Sequence, residues 1–263
     1  MFKKYLLLVF LPFSLFAQDP FSELDTSLME TSILYDRGYK FADILDVNQK
    51  VNASYFIQAY SELSRADYAN QLHHLDRLKD ANAIGIVQNY VPLGFLHAEF
   101  DALKADAIEN GLISLNANHK LVSATSNNVS PFELKERTIM SPLSKRHRGL
   151  HARFKLLSDY TINTTSKGIL SIQANFNNGE GSKTIQIDQL VNVHYEDAGE
   201  KRIDFTVTFD NGTIKQMSAY INIELSSADL NAKDPGDEGP ITPIVADISY
   251  QGFGESSAEF GNG

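Results

Sequence analysis

The sequence contains no cysteine and no tryptophan among its 263 residues. Without cysteine, the folded chain has no disulfide bond, no thiol nucleophile, no thiolate-bound zinc or iron–sulfur site and no acceptor for a bacterial lipid anchor. Its stability must therefore come from packing and hydrogen bonds. Apolar residues make up 43% of the chain, with 16 phenylalanines and 11 tyrosines, which excludes disorder throughout and is enough for one large core or two smaller ones.

Basic residues are also scarce: 23 lysines and arginines stand against 33 aspartates and glutamates, for a formal net charge of -10. Nucleic-acid binding requires an excess of basic side chains to neutralise phosphates, so this balance argues against a nucleic-acid partner. Beyond the N-terminus, no stretch reaches the roughly 18 uninterrupted apolar residues that a spanning helix needs. We therefore expect no nucleic-acid partner and no membrane span.

The first 17 residues have the features of a secretory signal peptide. Lys3 and Lys4 precede the apolar run 5–13, and the small residue Ala17 precedes the polar Gln18. The alternative is a short membrane anchor, but the run is too brief to cross roughly 30 Å of hydrocarbon and Pro12 interrupts it. The sequence thus predicts cleavage after Ala17 and export to the periplasm, the cell surface or the extracellular medium.

Residues 18–143 are predicted to form a mainly helical, mixed region. From 19 to about 80, apolar residues recur every three or four positions, with Asn52 or Ser54 as a helix cap and Gly38 and Gly85 as breaks. The stripes are Phe56, Tyr60 and Leu63, followed by Leu72, Leu75 and Leu78.

The rest of that region has weaker signals. The residues around Pro92 alternate as in a strand, and because proline cannot donate to a central ladder we expect an edge strand or extended segment. Residues 103–108 are predicted to form a short helix that ends at the turn dipeptide Asn110-Gly111. Residues 112–142 are predicted to be irregular, with one strand near 137–140.

After Gly149 the apolar period changes to two, which is typical of strands with one buried face. Turn signals at Asn178-Gly179, Ala198-Gly199 and Asp210-Asn211-Gly212 separate these strands, and the last should close a tight hairpin. The pattern predicts an antiparallel β-sandwich over 149–226. Its predicted inward residues are Ala152, Phe154 and Leu156; Leu170, Ile172, Ala174 and Phe176; Ile203, Phe205, Val207 and Phe209; and Ala219, Ile221, Ile223 and Leu225.

Two segments of this region, 175–179 and 194–203, resemble the signature segments of the PKD (polycystic kidney disease) domain. The residues that carry the resemblance are Phe176, Gly179, His194, Tyr195 and Gly199. The resemblance implies an immunoglobulin-like sandwich that serves exported proteins as a spacer, adhesive or carbohydrate-associated module, usually without catalysis.

The resemblance has departures. Asn177 and Asn178 stand where the family prefers Gly and Asp, and Ala174 stands where it favours Trp, so a calcium or ligand role of the family does not carry over. Physical reasoning alone predicts a buried Tyr195 ring with its hydroxyl bonded to backbone, and a turn at Gly199.

The end of the chain has a different composition. Residues 227–240 are rich in acids, Gly and Pro and are predicted to form a linker, in which Asp234, Asp237 and Glu238 lack the regular spacing of a calcium loop. Residues 241–263 resume a strand-like pattern. They are either the truncated start of a further domain or an additional strand of the sandwich.

Local motifs for catalysis, metals or cofactors are lacking. His73-His74 would diverge by about 100° on a helix, and His97-Ala98-Glu99 has the spacing of zinc deaminases without their cysteines. We therefore predict no catalytic residue, no metal and no cofactor. An enzyme is the less favoured hypothesis, and it would need a pocket where His97, His119 or His151 meets an acid and a hydroxyl.

One basic cluster, Lys145-Arg146-His147-Arg148, interrupts the acidic chain. It is either a docking point for an acidic glycan or envelope lipid, or a solvated loop before the sandwich, and we favour the loop.

The chain as a whole is thus predicted to be an exported, non-catalytic binding or spacer module whose partner is a glycan or an envelope protein. The alternative is an N-terminal accessory region of a larger secreted hydrolase.

Overall fold

The computed structural model describes residues 19–35, 50–70, 72, 76–124 and 129–232. The predicted signal peptide, Gly38, His73 and His74, most of the predicted linker and residues 241–263 lie outside the described residues. The helices are α1 (Ala53–Ala66), α2 (Asp76–Gln88) and α3 (Ser227–Ala232). The strands are β1 (Val91–Leu103), β2 (Ile113–Leu115), β3 (Leu121–Ser123), β4 (Phe132–Pro142), β5 (Arg146–Arg148), β6 (His151–Asn163), β7 (Ile169–Asn175), β8 (Ser182–Ile185), β9 (Leu190–His194), β10 (Gly199–Phe209) and β11 (Ile214–Glu224).

Most of these strands form two sheets that pack face to face. Sheet I has the order β4-β1-β6-β9, sheet II has the order β5-β11-β10-β7-β8, and β2 and β3 form a separate pair. Neighbouring strands are antiparallel except for β1 with β6 and β5 with β11, which are parallel. The main core contains buried apolar side chains of both sheets, so the structure is a β-sandwich.

The alternation after Gly149 correctly predicts strands β6, β7, β10 and β11. On β10, for example, Ile203, Phe205 and Val207 are buried while the residues between them are not. The predicted hairpin between β10 and β11 is confirmed, with Gly212 at a φ of 82° donating its amide to the Phe209 carbonyl at 3.0 Å. Two residues predicted to point inward are not buried. Leu170 is 70% exposed, because an irregularity in the β7–β10 pairing places Ile169 opposite Phe209. Leu225 is half-buried and lies beyond the end of β11.

Strand β1 is not at an edge, so that prediction is wrong. It pairs with β4 on one side and with β6 on the other. Pro92 is tolerated because it is the second residue of the strand: the ladder with β4 begins at Leu93, and the Pro92 carbonyl accepts a bond from the Leu143 amide at 2.8 Å. Residues 91–142 therefore contribute two strands to the sandwich, whose predicted start was residue 149.

Helix α1 confirms the predicted helix and its cap. The Asn52 side-chain oxygen accepts bonds from the amides of Ser54 at 3.0 Å and Tyr55 at 3.2 Å. The apolar stripe of α1 packs in a second core with Leu96, Ala98, Phe100 and Ile139. On β1, Leu96, Ala98 and Phe100 alternate with Val91, Leu93 and Phe95, which face the main core, so both faces of sheet I are covered.

The rest of the region 18–143 differs from the prediction of a mainly helical segment. The described residues 19–35 form turns and isolated bridges, and residues 105–111 form turns where a short helix was expected. Residues 112–142 contain β2, β3 and an 11-residue β4 instead of one short strand. The buried Asp101 carboxylate holds the N-terminal segment by accepting bonds from the amides of Glu30 at 3.1 Å and Thr31 at 2.7 Å.

The chain divides into two compact units, Met1–Glu224 and Leu225–Gly263. In the second unit, the described residues form helix α3 where the predicted linker begins. Ser226 caps this helix: its amide donates to the Asp229 carboxylate at 2.7 Å, and the Asp229 amide donates to the Ser226 hydroxyl at 3.2 Å. This reciprocal pairing satisfies the first amides of the helix.

Candidate functional site

A cleft of about 680 Å³ lies where α2, the start of β1 and the segment 143–148 meet. All four residues of the basic cluster line it. The other lining residues are Ala53, Ile57, Gly85, Ile86, Asn89, Tyr90, Val91, Leu143, Ser144 and Glu224. A cleft of this volume matches the usual size of a small-molecule or oligosaccharide site.

The basic cluster is not a solvated loop, because Arg146–Arg148 form strand β5. This strand pairs in parallel with the end of β11, and the Asn222 amide donates to the Lys145 carbonyl at 3.1 Å. The chain crosses here from sheet I to sheet II. Lys145, Arg146 and Arg148 remain exposed and His147 is half-buried, so the backbone is fixed while the charged ends are accessible to a ligand.

Residues at the end of helix α2 also line the cleft. Gly85 was expected to break a helix but lies within α2, where an added Cβ would stand 2.7 Å from the Tyr90 carbonyl and 2.8 Å from the Pro92 Cδ. Arg153 fixes the helix end by donating to the carbonyls of Gln88 and Asn89, both at 2.8 Å. Only glycine allows this close approach of the helix to the chain that follows.

The charge of the cleft is opposite to that of the chain. Among its lining residues, Glu224 is the one acid, and it lies 3.5 Å from the Arg146 guanidinium. Arg146 is 74% exposed at this ion pair, so solvent screens the attraction. Lys145 and Arg148 make no ion pair with a described residue. The cleft therefore offers cationic donors beside apolar surface, which suits a ligand with carboxylate, sulfate or phosphate groups.

A second polar cluster surrounds His97, but it is closed to substrate. The His97 ring is fully buried, with Nδ1 2.9 Å from the Thr138 hydroxyl and Nε2 3.8 Å from the Glu136 carboxylate. Its centroid lies 4.4 Å from that of Phe209. The acid and hydroxyl that an enzyme would need are thus present at His97, but its ring is buried away from solvent.

The carboxylate of Glu136 belongs to an ion cluster. Lys167 bonds to Glu136 and lies 3.0 Å from Glu99, and Lys215 lies 2.9 Å from Glu136. Burial acts to raise the pKa of Glu136, but bonds from the two lysines lower it below its ordinary value. Burial lowers the pKa of His97, which keeps this imidazole neutral. The cluster links residues of β1, β4 and β11, so its role is structural.

The other two candidate histidines, His119 and His151, are exposed. His119 lies in a surface turn with a φ of 58°, and His151 stacks against His194 at a centroid distance of 4.2 Å. Among the residues with described placement, no group of three His, Asp or Glu side chains could hold a metal ion. No helix in the described ranges is long and apolar enough to cross a membrane.

Two of the five signature residues lie in the core. Phe176 is fully buried and its ring lies 4.7 Å from that of Phe154. Tyr195 is 1% exposed, as expected for its ring, but its hydroxyl has no hydrogen-bond partner among the described residues. The expected bond from the hydroxyl to backbone is therefore not formed. Burial raises the pKa of Tyr195, so the phenol stays neutral.

The remaining three signature residues lie at the surface. Gly179 and Gly199 have φ values of 86° and 122°, which glycine adopts without strain. His194 ends β9 and is exposed. None of the five signature residues lines the cleft, so the sequence signature and the cleft are separate features.

Sequence reasoning found the basic residues of the cleft and missed the apolar ones, which come from segments far apart in the chain.

A part of the chain is similar to a solved structure, whereas the comparisons by sequence find no match. No protein-family model matches the chain, and no curated protein matches it. The PKD1 domain of Vibrio anguillarum Epp is similar to a part of the chain, with 20% sequence identity and a TM-score of 0.23. The match covers 30% of this chain and 83% of that one. A TM-score this low does not establish a common fold, so membership of the PKD family stays a prediction.

Proposed function

We propose that the chain is an exported, non-catalytic binding module that holds an acidic glycan in the cleft. The observation that carries the proposal is that the whole basic cluster of an acidic chain lines one cleft of about 680 Å³. Arg146 and Arg148 pair with the carboxylates or sulfates of the glycan, and Lys145 adds a third charge. Ile57 and Ile86 provide the apolar contact.

The cleft favours a soluble glycan over an envelope lipid for a geometric reason. A lipid surface is flat and is bound by charges and apolar side chains that project from one face. Here the basic residues and the apolar residues line one concave cleft together. A chain of sugars that carries acidic groups can enter such a cleft and contact both kinds of side chain.

Binding to a carboxylated polysaccharide tests the proposal. The mature chain is titrated with alginate oligosaccharides and, in parallel, with neutral cello-oligosaccharides by calorimetry. We expect binding to the acidic sugar alone, weakening as salt rises because ion pairs carry the affinity. A triple variant, Lys145→Gln, Arg146→Gln and Arg148→Gln, should lose this binding.

The matched control removes the same charge elsewhere. The variant Lys120→Gln, Lys135→Gln and Lys183→Gln changes lysines outside the cleft and should bind like the unmodified chain. Equal binding of neutral and acidic sugars, or equal losses in the two triple variants, would overturn the proposal. Anionic vesicles serve as a further probe: preferential binding to vesicles over alginate would show that a lipid is the ligand.

Export is a separate part of the proposal. It rests on the signal-peptide features of residues 1–17. Expression of the full chain in a Gram-negative host, followed by mass spectrometry of the periplasmic and extracellular fractions, should give a product that begins at Gln18. A cytoplasmic product that retains Met1 would contradict export without bearing on the cleft.

A further inference from the structure

Two exposed histidines face each other across neighbouring strands. His151 begins β6, His194 ends β9, and their Cα atoms are direct partners in the antiparallel ladder. The Tyr195 amide donates to the Leu150 carbonyl at 2.9 Å, which makes the Leu150–Tyr195 pair hydrogen-bonded and the adjacent His151–His194 pair non-hydrogen-bonded. Side chains come closest at such positions.

The two imidazoles contact each other and leave their nitrogens available. Their ring centroids are 4.2 Å apart, with 26° between the ring planes. Neither ring makes a hydrogen bond to another described residue, and both side chains are exposed. Two imidazolium ions at this distance would repel each other, whereas two neutral imidazoles can share one cation between their nitrogens.

One carboxylate and one further imidazole lie near the pair, and the Glu180 carboxylate is already paired with Lys183 at 2.6 Å. The pKa of Glu180 is lowered mainly by Lys183 and Asn178, and to a smaller degree by His194, so this carboxylate lies within electrostatic range of the pair. His147, which lines the cleft, has its Nε2 3.2 Å from the His151 carbonyl. The pair therefore lies beside the cleft.

We propose that His151 and His194 chelate a divalent transition-metal ion of the Zn²⁺, Ni²⁺ or Cu²⁺ class. One nitrogen of each ring binds the ion, and water fills the other positions, since no third ligand is already in place in the described residues. Imidazole is a preferred ligand of these ions and a poor one for Mg²⁺ or Ca²⁺. Because both side chains are exposed, small rotations about their bonds bring the nitrogens together without moving the strands.

Calorimetry with ZnCl₂ tests the site on the mature chain, prepared without a histidine tag and stripped with EDTA. We expect one ion per chain at pH 7.5, and no binding of MgCl₂. Either His151→Gln or His194→Gln should weaken zinc binding by about tenfold or more, because one imidazole remains where there were two.

Three controls separate this site from other histidines and from the glycan proposal. His119→Gln and the double variant His73→Gln, His74→Gln should bind zinc like the unmodified chain. The triple variant of the cleft should also keep zinc binding, so loss of glycan binding does not affect this proposal. Unchanged zinc affinity in both His151→Gln and His194→Gln would overturn it, as would equal losses in the controls.

A direct measurement on the unmodified chain covers the case in which a variant fails to fold. Substoichiometric Cu²⁺ should broaden the NMR signals of the His151 and His194 rings before those of His119. Equal broadening of all histidine signals would overturn the proposal.

Discussion

At the scale of single residues, the polar groups inside the sandwich differ in how well they are satisfied. His97 has a hydroxyl partner on one nitrogen, and its other nitrogen faces a carboxylate at 3.8 Å. Tyr195 has a buried hydroxyl with no partner among the described residues. A buried polar group without a hydrogen bond costs stability, whereas a satisfied one is close to neutral. Each case leads to a prediction.

His97 should make the fold sensitive to acid. Burial lowers the pKa of His97 in the folded chain, so the unfolded chain binds a proton more readily. The contribution of the neutral His97 to the free energy of unfolding is therefore complete above the ordinary histidine pKa of 6.5. It is lost as the pH falls through the lowered pKa of His97 in the folded chain. Urea denaturation should show that the free energy of unfolding drops less from pH 7.5 to pH 5.5 in His97→Gln than in the unmodified chain. His119→Gln is the control, and its free energy of unfolding should drop as much as that of the unmodified chain. An equal drop in His97→Gln would contradict the prediction.

Removing the Tyr195 hydroxyl should not destabilise the fold. An unpaired buried hydroxyl costs ~1–3 kcal/mol, and phenylalanine keeps the ring that fills the core. The free energy of unfolding of Tyr195→Phe should equal that of the unmodified chain or exceed it, as measured by urea denaturation. Tyr195→Leu is the control, and it should be less stable because the ring is lost. A clear loss in Tyr195→Phe would show that the hydroxyl has a hydrogen-bond partner.

At the scale of elements, the number of covered faces decides what the sequence can predict. Strands β10 and β11 bury one face, so their apolar residues alternate and the sequence predicts them. Strand β1 is covered on both faces, by sheet II and by α1, so its residues are buried almost without interruption and the period of two disappears. Strand β1 lies inside its sheet because it pairs with β4 and β6, and these pairings join residues far apart in the chain. No local sequence pattern predicts such pairings.

The contact between α1 and β1 depends on Gly94. A Cβ at this position would lie 2.7 Å from the Phe56 Cζ and 2.8 Å from the Leu143 Cδ2. Gly94→Ala should lower the free energy of unfolding by ~1–3 kcal/mol, since an overpacked core must shift. In a Phe56→Leu background, Gly94→Ala should cost less stability than it does in the unmodified chain, because the Phe56 ring that the added Cβ would meet is absent. Equal costs of Gly94→Ala in the two backgrounds would contradict the contact with Phe56.

At the scale of the whole first unit, charged side chains come together at two places, the cleft and the ion cluster around Glu136. The basic cluster is visible in the sequence, but the cleft is lined by residues of α1, α2, β1, β5 and β11, which only the fold brings together. The ion cluster of Glu99, Glu136, Lys167 and Lys215 also comes from four separate segments, and none of these residues stands out in the sequence. Isolated charges on strands are ordinary surface residues until the two sheets pack, so the sequence alone predicts neither arrangement.

Glu136 should be the residue on which this ion cluster depends. Its carboxylate forms ion pairs with Lys167 and Lys215 at a partly buried position, so Glu136→Gln leaves two lysines without their shared anion. We expect a loss of ~1–3 kcal/mol in the free energy of unfolding at pH 7.5, between the values for exposed and buried pairs. Glu133→Gln removes an exposed partner of Lys135 and should cost about 0.5 kcal/mol or less.

The acid dependence gives a second test of the same residue. Bonds from the lysines outweigh burial and lower the pKa of Glu136 in the folded chain, so its contribution is present above the ordinary value of 4.5 and is lost as the pH falls through the lowered pKa. The stability gap between the unmodified chain and Glu136→Gln should therefore narrow when urea denaturation is repeated at pH 3.5. A gap that stays constant from pH 7.5 to 3.5 would mean that the two lysines stabilise the fold without the Glu136 charge.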